Sequence, residues 1–185
     1  MNIFGCFRKK PLSNSDEQEY KAAGAFFTNS KLYLAGYQPH KCTPFISGIG
    51  GSKEAGETPT DTAIREAVEE IFDLIEIPNG MLDVIKLGIN PGKIINNMSY
   101  VILVYSFEDL EYIIDVLNRY EVKSRSYDLI PISINELLMN RKVSTNKKTE
   151  VTHLCLLPLV SHSTRSSLVD VNLVKDISLI LSSGT

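Results

Sequence analysis

One stretch, from Gly48 to Leu74, constrains the fold of this chain more than any other. It reads GIGGSKEAGETPTDTAIREAVEEIFDL, in which four glycines precede a segment of alternating apolar and acidic residues. Glycine allows positive φ angles and lets the backbone approach a ligand closely, where a side chain would obstruct it. The stretch therefore predicts a loop of unusual backbone geometry that leads directly into a helix.

The helix is expected to begin at Pro59. Thr58 can serve as the N-cap, Pro59 then occupies the first helical position, and Asp61 follows three residues after the cap. At about 100° per residue, the apolar side chains fall on one side and form a stripe suited to packing on a sheet. The residues of this stripe are Ile64, Ala67, Val68, Ile71, Phe72 and Ile75.

The opposite side of the helix carries a patch of acids with Arg65 at its edge. Its members are Glu66, Glu69, Glu70 and Asp73. Like charges three or four residues apart destabilise an isolated helix by roughly 0.2–0.5 kcal/mol per pair, so something should compensate for them. A solvated charged face is one interpretation. A bound divalent cation is the other, because clustered carboxylates beside a backbone carbonyl are the hard oxygen ligands that Mg²⁺ and Mn²⁺ prefer.

These residues resemble the signature of the Nudix hydrolases. That signature is a glycine, five residues, a glutamate, seven residues, and then Arg-Glu, an apolar residue, any residue, Glu-Glu, any residue, glycine and an apolar residue. The positions that match are Gly51, Glu57, Arg65, Glu66, Glu69 and Glu70. Phe72 and Asp73 depart from the pattern, at the places of the glycine and of the last apolar residue. Without the glycine, we expect the helix to continue to about Ile75.

The resemblance implies an α/β fold, an α/β/α sandwich of Nudix type with a mixed central sheet. It also implies a metal-dependent pyrophosphohydrolase that cleaves a phosphoanhydride bond in a nucleoside diphosphate-linked substrate, with the 5′ cap of RNA as a special case. The alternative is a catalytically silent Nudix-like module with a nucleotide-binding or regulatory role, and the two departures from the signature are its support.

By the same resemblance, Mg²⁺ or Mn²⁺ would be held by Glu66, Glu69 and Glu70 with help from the Gly51 carbonyl. Arg65 would pair with Glu57 and hold the loop against the helix.

The resemblance also implies that Glu69 or Glu66 could be the general base, as in some members of the family. Other members use a carboxylate from outside the motif. Glu121 and Asp128 are the candidates for that outside carboxylate, and Glu121 is favoured.

Composition and charge limit the remaining possibilities. With 185 residues of which 43% are hydrophobic, the chain is expected to form one domain over residues 19–185, after a flexible N-terminal tail at 1–18. A net charge of −3 gives no broad basic field for nucleic acid or membranes. Three widely spaced cysteines and the absence of a long apolar run favour a reducing, cytoplasmic location. Cys6, beside three basic residues, belongs either to a frayed terminus or to a lipidated anchor.

Patterning outside the motif predicts further elements. These are a β-hairpin over residues 20–37, strands at 81–89, 99–107 and 128–134, helices at 108–120 and 168–181, and a short helix at 135–140 capped by Asn135. The strand at 99–107 is apolar on both faces and is expected inside the sheet. Several aromatic residues could stack on a base or belong to the core, namely Tyr33, Tyr37, Phe45, Tyr100 and Tyr127. A basic run could meet a polyphosphate or stay solvated, and consists of Arg141, Lys142, Lys147 and Lys148.

Overall fold

The computed structural model describes residues 20–41, 43–143, 149–160 and 168–183. Within them, seven strands form one sheet. The strands are β1 (Ala22–Thr28), β2 (Leu32–Gln38), β3 (Phe45–Ser47), β4 (Ile49–Ser52), β5 (Lys93–Asn97), β6 (Tyr100–Ser106) and β7 (His153–Pro158). The helices are α1 (Pro59–Phe72), α2 (Met81–Gly88), α3 (Phe107–Arg119), α4 (Ile134–Met139) and α5 (Val171–Ser182).

The sheet is mixed. Strand β1 pairs in parallel with β6, while β5 pairs antiparallel with β6 on its other side, so β6 is interior as predicted. Strand β2 pairs antiparallel with β1, β3 and β7, which confirms the predicted hairpin of β1 and β2. Strand β4 pairs with the start of β1, in the register Ala22↔Ser52 to Ala25↔Ile49. This pairing brings the glycine-rich segment onto the sheet.

Helices cover both faces of the sheet. Successive side chains of a strand point to opposite sides, so the apolar residues of one strand contribute to two cores. Ala25 and Phe27 of β1 pack in one core with the apolar residues of α1, α2, α3 and α4. Phe26 points the other way, into a second core with Leu173 and Ile177 of α5. The predicted α/β/α sandwich with a mixed sheet is thus confirmed.

Helix α1 begins as the sequence predicts and ends earlier than expected. The Thr58 side chain accepts from the Asp61 N–H, and the Asp61 carboxylate accepts from the Thr58 N–H in return. The last residue of α1 is Phe72, so the expectation that the helix reaches Ile75 is wrong. Asp73 adopts the left-handed conformation, with φ 47° and ψ 53°, and its carboxylate accepts from Ser126 Oγ at 3.1 Å. Aspartate tolerates this conformation better than most residues, and the partner on a distant segment stabilises it.

Three other predictions need correction. The segment at 81–89 is helix α2, in which Met81 and Ile85 are buried one turn apart; short apolar runs do not distinguish strand from helix. Residues 128–134 form no strand, and α4 is capped by Ser133, which accepts from the Glu136 N–H, in place of Asn135. Strand β7 was not expected, whereas the predicted terminal helix is present as α5.

No helix among the residues that the structure describes combines the length and apolar character needed to cross a bilayer. The predicted tail at 1–18, with Cys6, lies outside the described residues.

Candidate active site

A cleft of about 480 Å³ lies between β4, the acidic side of α1 and the segment before β7. Gly50, Gly51 and Ser52 form one wall. Five acidic side chains line the rest of the cleft, namely Glu66, Glu69, Glu70, Asp73 and Glu150. The structure therefore brings the four acids of the predicted patch together with one acid from far along the chain.

Arg65 lies at the centre of the hydrogen bonds that order this cleft, and only 9% of the residue is exposed. Its Nε donates to Glu57 Oε1 at 2.7 Å, and its Nη1 donates to Glu66 at 2.8 Å and to Glu69 at 3.0 Å. Nη2 donates to the Ser52 carbonyl at 2.8 Å. The planar guanidinium thus joins the loop, β4 and two acids of α1 in one fork geometry that a lysine could not reproduce.

The Glu57 carboxylate accepts several hydrogen bonds. Besides Arg65, its carboxylate accepts from Thr62 Oγ1 at 2.7 Å and from the Glu54 N–H at 2.9 Å. The hydrogen bond from Arg65 is the main cause that lowers the pKa of Glu57 to about 2. These bonds leave Glu57 as the anchor of Arg65 and of the loop, in the pairing that the sequence suggests.

Burial raises the pKa of two acids in the cleft, Glu70 and Glu66. The Glu70 carboxylate accepts from the Gly50 N–H at 2.8 Å, and desolvation, together with the charges of Glu66 and Glu150, raises its pKa to about 8. Burial likewise raises the pKa of Glu66, while Arg65 opposes the shift. A Cβ on Gly51 would lie 2.4 Å from the Glu66 carboxyl group, so only glycine allows this approach. The cleft concentrates negative charge that a cation would relieve.

The donor set fits a hard divalent cation in chemistry. Its carboxylates are of the kind that Mg²⁺ and Mn²⁺ prefer, and the Gly51 backbone lies against one of them. As they stand, no three acidic, histidine or cysteine side chains of the described residues are grouped closely enough to hold an ion. Two of the acids, Glu66 and Glu69, are paired with Nη1 of Arg65.

The structure does not bring Glu121 or Asp128 to the cleft. Both line a different pocket beyond the end of α3, and Asp128 pairs there with Lys142. The acid from outside the motif that lines the cleft is Glu150. Its side chain is 60% exposed and lies 3.5 Å from Lys41 Nζ. In the sequence, Glu150 comes directly before the apolar run that becomes β7, and this position could have indicated it as a candidate.

The role of Arg141 was not predicted, because the basic run that contains it was expected to meet a polyphosphate or to stay solvated. The guanidinium donates to the carbonyls of Glu70 at 3.0 Å, Val151 at 2.7 Å and Thr152 at 3.3 Å, and also to that of Ile71. Arg141 therefore ties the last turn of α1 to the segment that carries Glu150. Lys147 and Lys148 lie outside the described residues.

The aromatic residues divide between core and surface. Tyr33 and Tyr127 are buried in the cores, while Tyr37 contacts the His153 ring edge-on. Phe45 and Tyr100 are partly buried, on β3 and β6 respectively.

No protein-family model matches this sequence, and no curated protein matches it in a sequence search. A Nudix hydrolase from Nitrosomonas europaea is 15% identical, with 90% of each chain covered and a TM-score of 0.44. A hydrolase of the Nudix family from Clostridium perfringens is 19% identical, with 90% of this chain and 99% of that chain covered and a TM-score of 0.38.

A bifunctional NMN adenylyltransferase/ADP ribose pyrophosphatase from Francisella tularensis, solved with AMP and a Mn ion, is 11% identical with a TM-score of 0.48. The match covers 91% of this chain and 43% of that chain.

Proposed function

We propose that this chain is a Nudix pyrophosphohydrolase, which hydrolyses a phosphoanhydride bond in a nucleoside diphosphate-linked substrate with the help of Mg²⁺ or Mn²⁺. The observation that carries the proposal is the cleft itself. Glu66, Glu69 and Glu70 of the motif line it together with Glu150, and Arg65 orders two of them through a buried hydrogen-bond network.

Glu66, Glu69 and Glu70 would hold the cation, with the Gly51 carbonyl as a further ligand. A divalent ion bound there neutralises phosphate charge and lowers the pKa of a bound water. Burial of Glu70 against the Gly50 N–H fixes one ligand in advance. Arg65 keeps Glu66 and Glu69 on the cleft side of α1 through its bonds to both.

A carboxylate that still reaches solvent has to accept the proton of the attacking water. The side chain of Glu69 is 46% exposed and that of Glu150 is 60% exposed, whereas that of Glu66 is 15% exposed. We propose Glu69 or Glu150 as the general base, with Glu150 as the outside carboxylate in place of Glu121.

The two departures from the signature do not favour a silent module. Phe72 is fully buried in the core, and Asp73 ends the helix in the left-handed conformation. Both changes therefore affect only the end of α1, and Glu66, Glu69 and Glu70 still line the cleft. Capped RNA stays within the proposal as one member of the substrate class. The proposed location is the cytoplasm, because the cysteines follow no disulfide pattern.

The test is a product screen with Mg²⁺ or Mn²⁺ over nucleoside diphosphate sugars, dinucleoside polyphosphates, nucleoside triphosphates and capped RNA. We expect a nucleoside monophosphate or a phosphorylated remainder as product. Glu69→Gln should lower the rate about a hundredfold or more. Glu111→Gln, the same change at an exposed position on α3, should keep the activity.

Two results would contradict the proposal. Unchanged turnover in Glu69→Gln would show that the site is elsewhere. Binding of Mn²⁺ without turnover of any compound in the screen would favour the silent module.

A further inference from the structure

A basic side chain, that of Lys41, reaches the rim of the catalytic cleft. Lys41 lies in the loop between β2 and β3, and its Nζ is 3.5 Å from Oε2 of Glu150, which lines the cleft. None of the described residues that line the cleft is itself basic. A positive charge at the rim therefore matters for a substrate that carries two linked phosphates into an acidic cleft.

The pairing of β2 brings Lys41 and Glu150 together from distant parts of the chain. Strand β7 pairs antiparallel with β2 in a register that includes Tyr37↔His153, so the residues just before β7 reach the end of β2 from which the Lys41 loop departs. The Thr152 N–H donates to the Tyr37 carbonyl at 3.0 Å and extends this pairing toward Glu150. Backbone hydrogen bonds thus place both side chains at the same end of the sheet.

The two arginines beside the cleft already donate to groups of the protein. Nε, Nη1 and Nη2 of Arg65 all donate to carboxylates or to the Ser52 carbonyl. Arg141 donates to backbone carbonyls. The ammonium of Lys41 differs, because it carries three N–H donors on a flexible side chain that is 49% exposed. Lys41 is therefore well placed to donate to a ligand.

The ion pair of Lys41 and Glu150 is easily exchanged. The Glu150 side chain is 60% exposed, and exposed ion pairs contribute little to stability because water screens them. A phosphate carries more acceptor oxygens than a carboxylate and forms strong charge-assisted hydrogen bonds with an ammonium group. A substrate phosphate at the rim can thus replace Glu150 as the partner of Lys41. The exchange leaves the Glu150 carboxylate available to accept a proton.

We propose that Lys41 is a substrate-binding residue, which leaves Glu150 and donates to a phosphate oxygen when the substrate enters the cleft. The proposal rests on the proposed hydrolase function. It adds a residue from outside the motif that recognises the diphosphate, and it makes the release of Glu150 a consequence of substrate binding.

The test measures, by calorimetry in the presence of Mg²⁺, the affinity of the whole chain for imidodiphosphate, a diphosphate analogue with nitrogen in place of the bridging oxygen. The parent protein should bind it saturably. Lys41→Met, which removes the charge, should weaken binding about tenfold or more, and Lys41→Arg should keep most of the affinity. Lys175→Met, at an exposed position of α5 on the other face of the sheet, is the matched control and should bind like the parent.

Steady-state kinetics separate substrate binding from chemistry. With the best substrate of the product screen, Lys41→Met should raise KM about tenfold or more and change kcat little, because the phosphate contact is made in the ground state and in the transition state alike. Lys175→Met should keep both constants of the parent protein.

The proposal is overturned if the parent does not bind imidodiphosphate, if Lys41→Met binds it as tightly as the parent does, or if Lys41→Arg binds as weakly as Lys41→Met. A parent protein that binds the analogue as predicted but hydrolyses no compound of the screen would contradict the hydrolase function alone. A parent protein that hydrolyses a substrate, with unchanged affinity and KM in Lys41→Met, would contradict the role of Lys41 alone.

Discussion

The hydrogen bonds between Glu57 and Arg65 should make the stability of the fold depend on pH in a defined window. Arg65 donates to both carboxylate oxygens of Glu57, at 2.7 and 3.2 Å. These bonds are the main cause that lowers the pKa of Glu57 from 4.5 to about 2. Because the folded pKa lies below the unfolded one, the stabilisation is complete above about pH 4.5 and is lost as the pH falls toward 2.

The size of the effect follows from this difference in pKa. Lowering the pKa from 4.5 to about 2 corresponds to an upper bound of roughly 3.4 kcal/mol in the free energy of unfolding. Solvent reaches the Glu57 side chain, which is 14% exposed, and screens part of the interaction. We therefore expect a contribution of about 1–2 kcal/mol.

Urea denaturation of the parent protein and of Glu57→Gln at pH 7 and at pH 3 measures this contribution. The variant should be less stable at pH 7 by about 1–2 kcal/mol, and the difference should shrink at pH 3, as the carboxylate becomes protonated in the unfolded state. Other acids, such as Asp61, titrate in the same range, so the difference between the two proteins is the relevant quantity. Glu111→Gln is the control. An equal difference at both pH values would refute the reasoning.

Three further predictions concern the ends of α1 and its glycine wall. Arg141→Met should lower the free energy of unfolding by about 2–3 kcal/mol in urea denaturation, because several carbonyls lose a charged donor; an unchanged urea midpoint would contradict this. Thr58→Ala should lower the free energy of unfolding by about 1 kcal/mol through the lost cap. Thr60→Ala, which removes a threonine that does not cap the helix, is the control, and equal stability of the two variants would count against the prediction. Gly51→Ala should displace the Glu66 carboxyl group, so that the turnover rate falls strongly while the melting temperature changes little. Kinetics like those of the parent protein would show that the close approach of Gly51 to Glu66 is unimportant.

Local rules predicted the start of α1 well, because a cap, a proline at the first position and an acid two residues later act within one turn. The end of the helix depends on tertiary partners instead. Ser126 and Arg125 hold the Asp73 carboxylate, and no local pattern indicates that they lie nearby. The same dependence on tertiary contacts explains why α2 was predicted as a strand. Its short apolar run fits a strand or a helix equally well, and the packing of Ile85 in the core is not evident from the sequence.

The site divides in the same way. Spacing on one helix and its loop suffices to predict that Glu66, Glu69 and Glu70 share a face. Glu150 reaches the cleft because β7 returns to pair with β2, whereas Glu121 lies beyond the end of α3.

The most direct test of the central claim is the rate of phosphoanhydride hydrolysis during a Mn²⁺ titration, with the best substrate of the screen and with Glu70→Gln in parallel. The rate should be zero in EDTA and rise to saturation with Mn²⁺ in the parent protein. In Glu70→Gln, which is expected to stay folded, the rate should fall about a hundredfold or more or saturate only at much higher Mn²⁺. Turnover that persists in EDTA, or a parent-like titration of the variant, would contradict the assignment of this cleft as a metal-dependent active site.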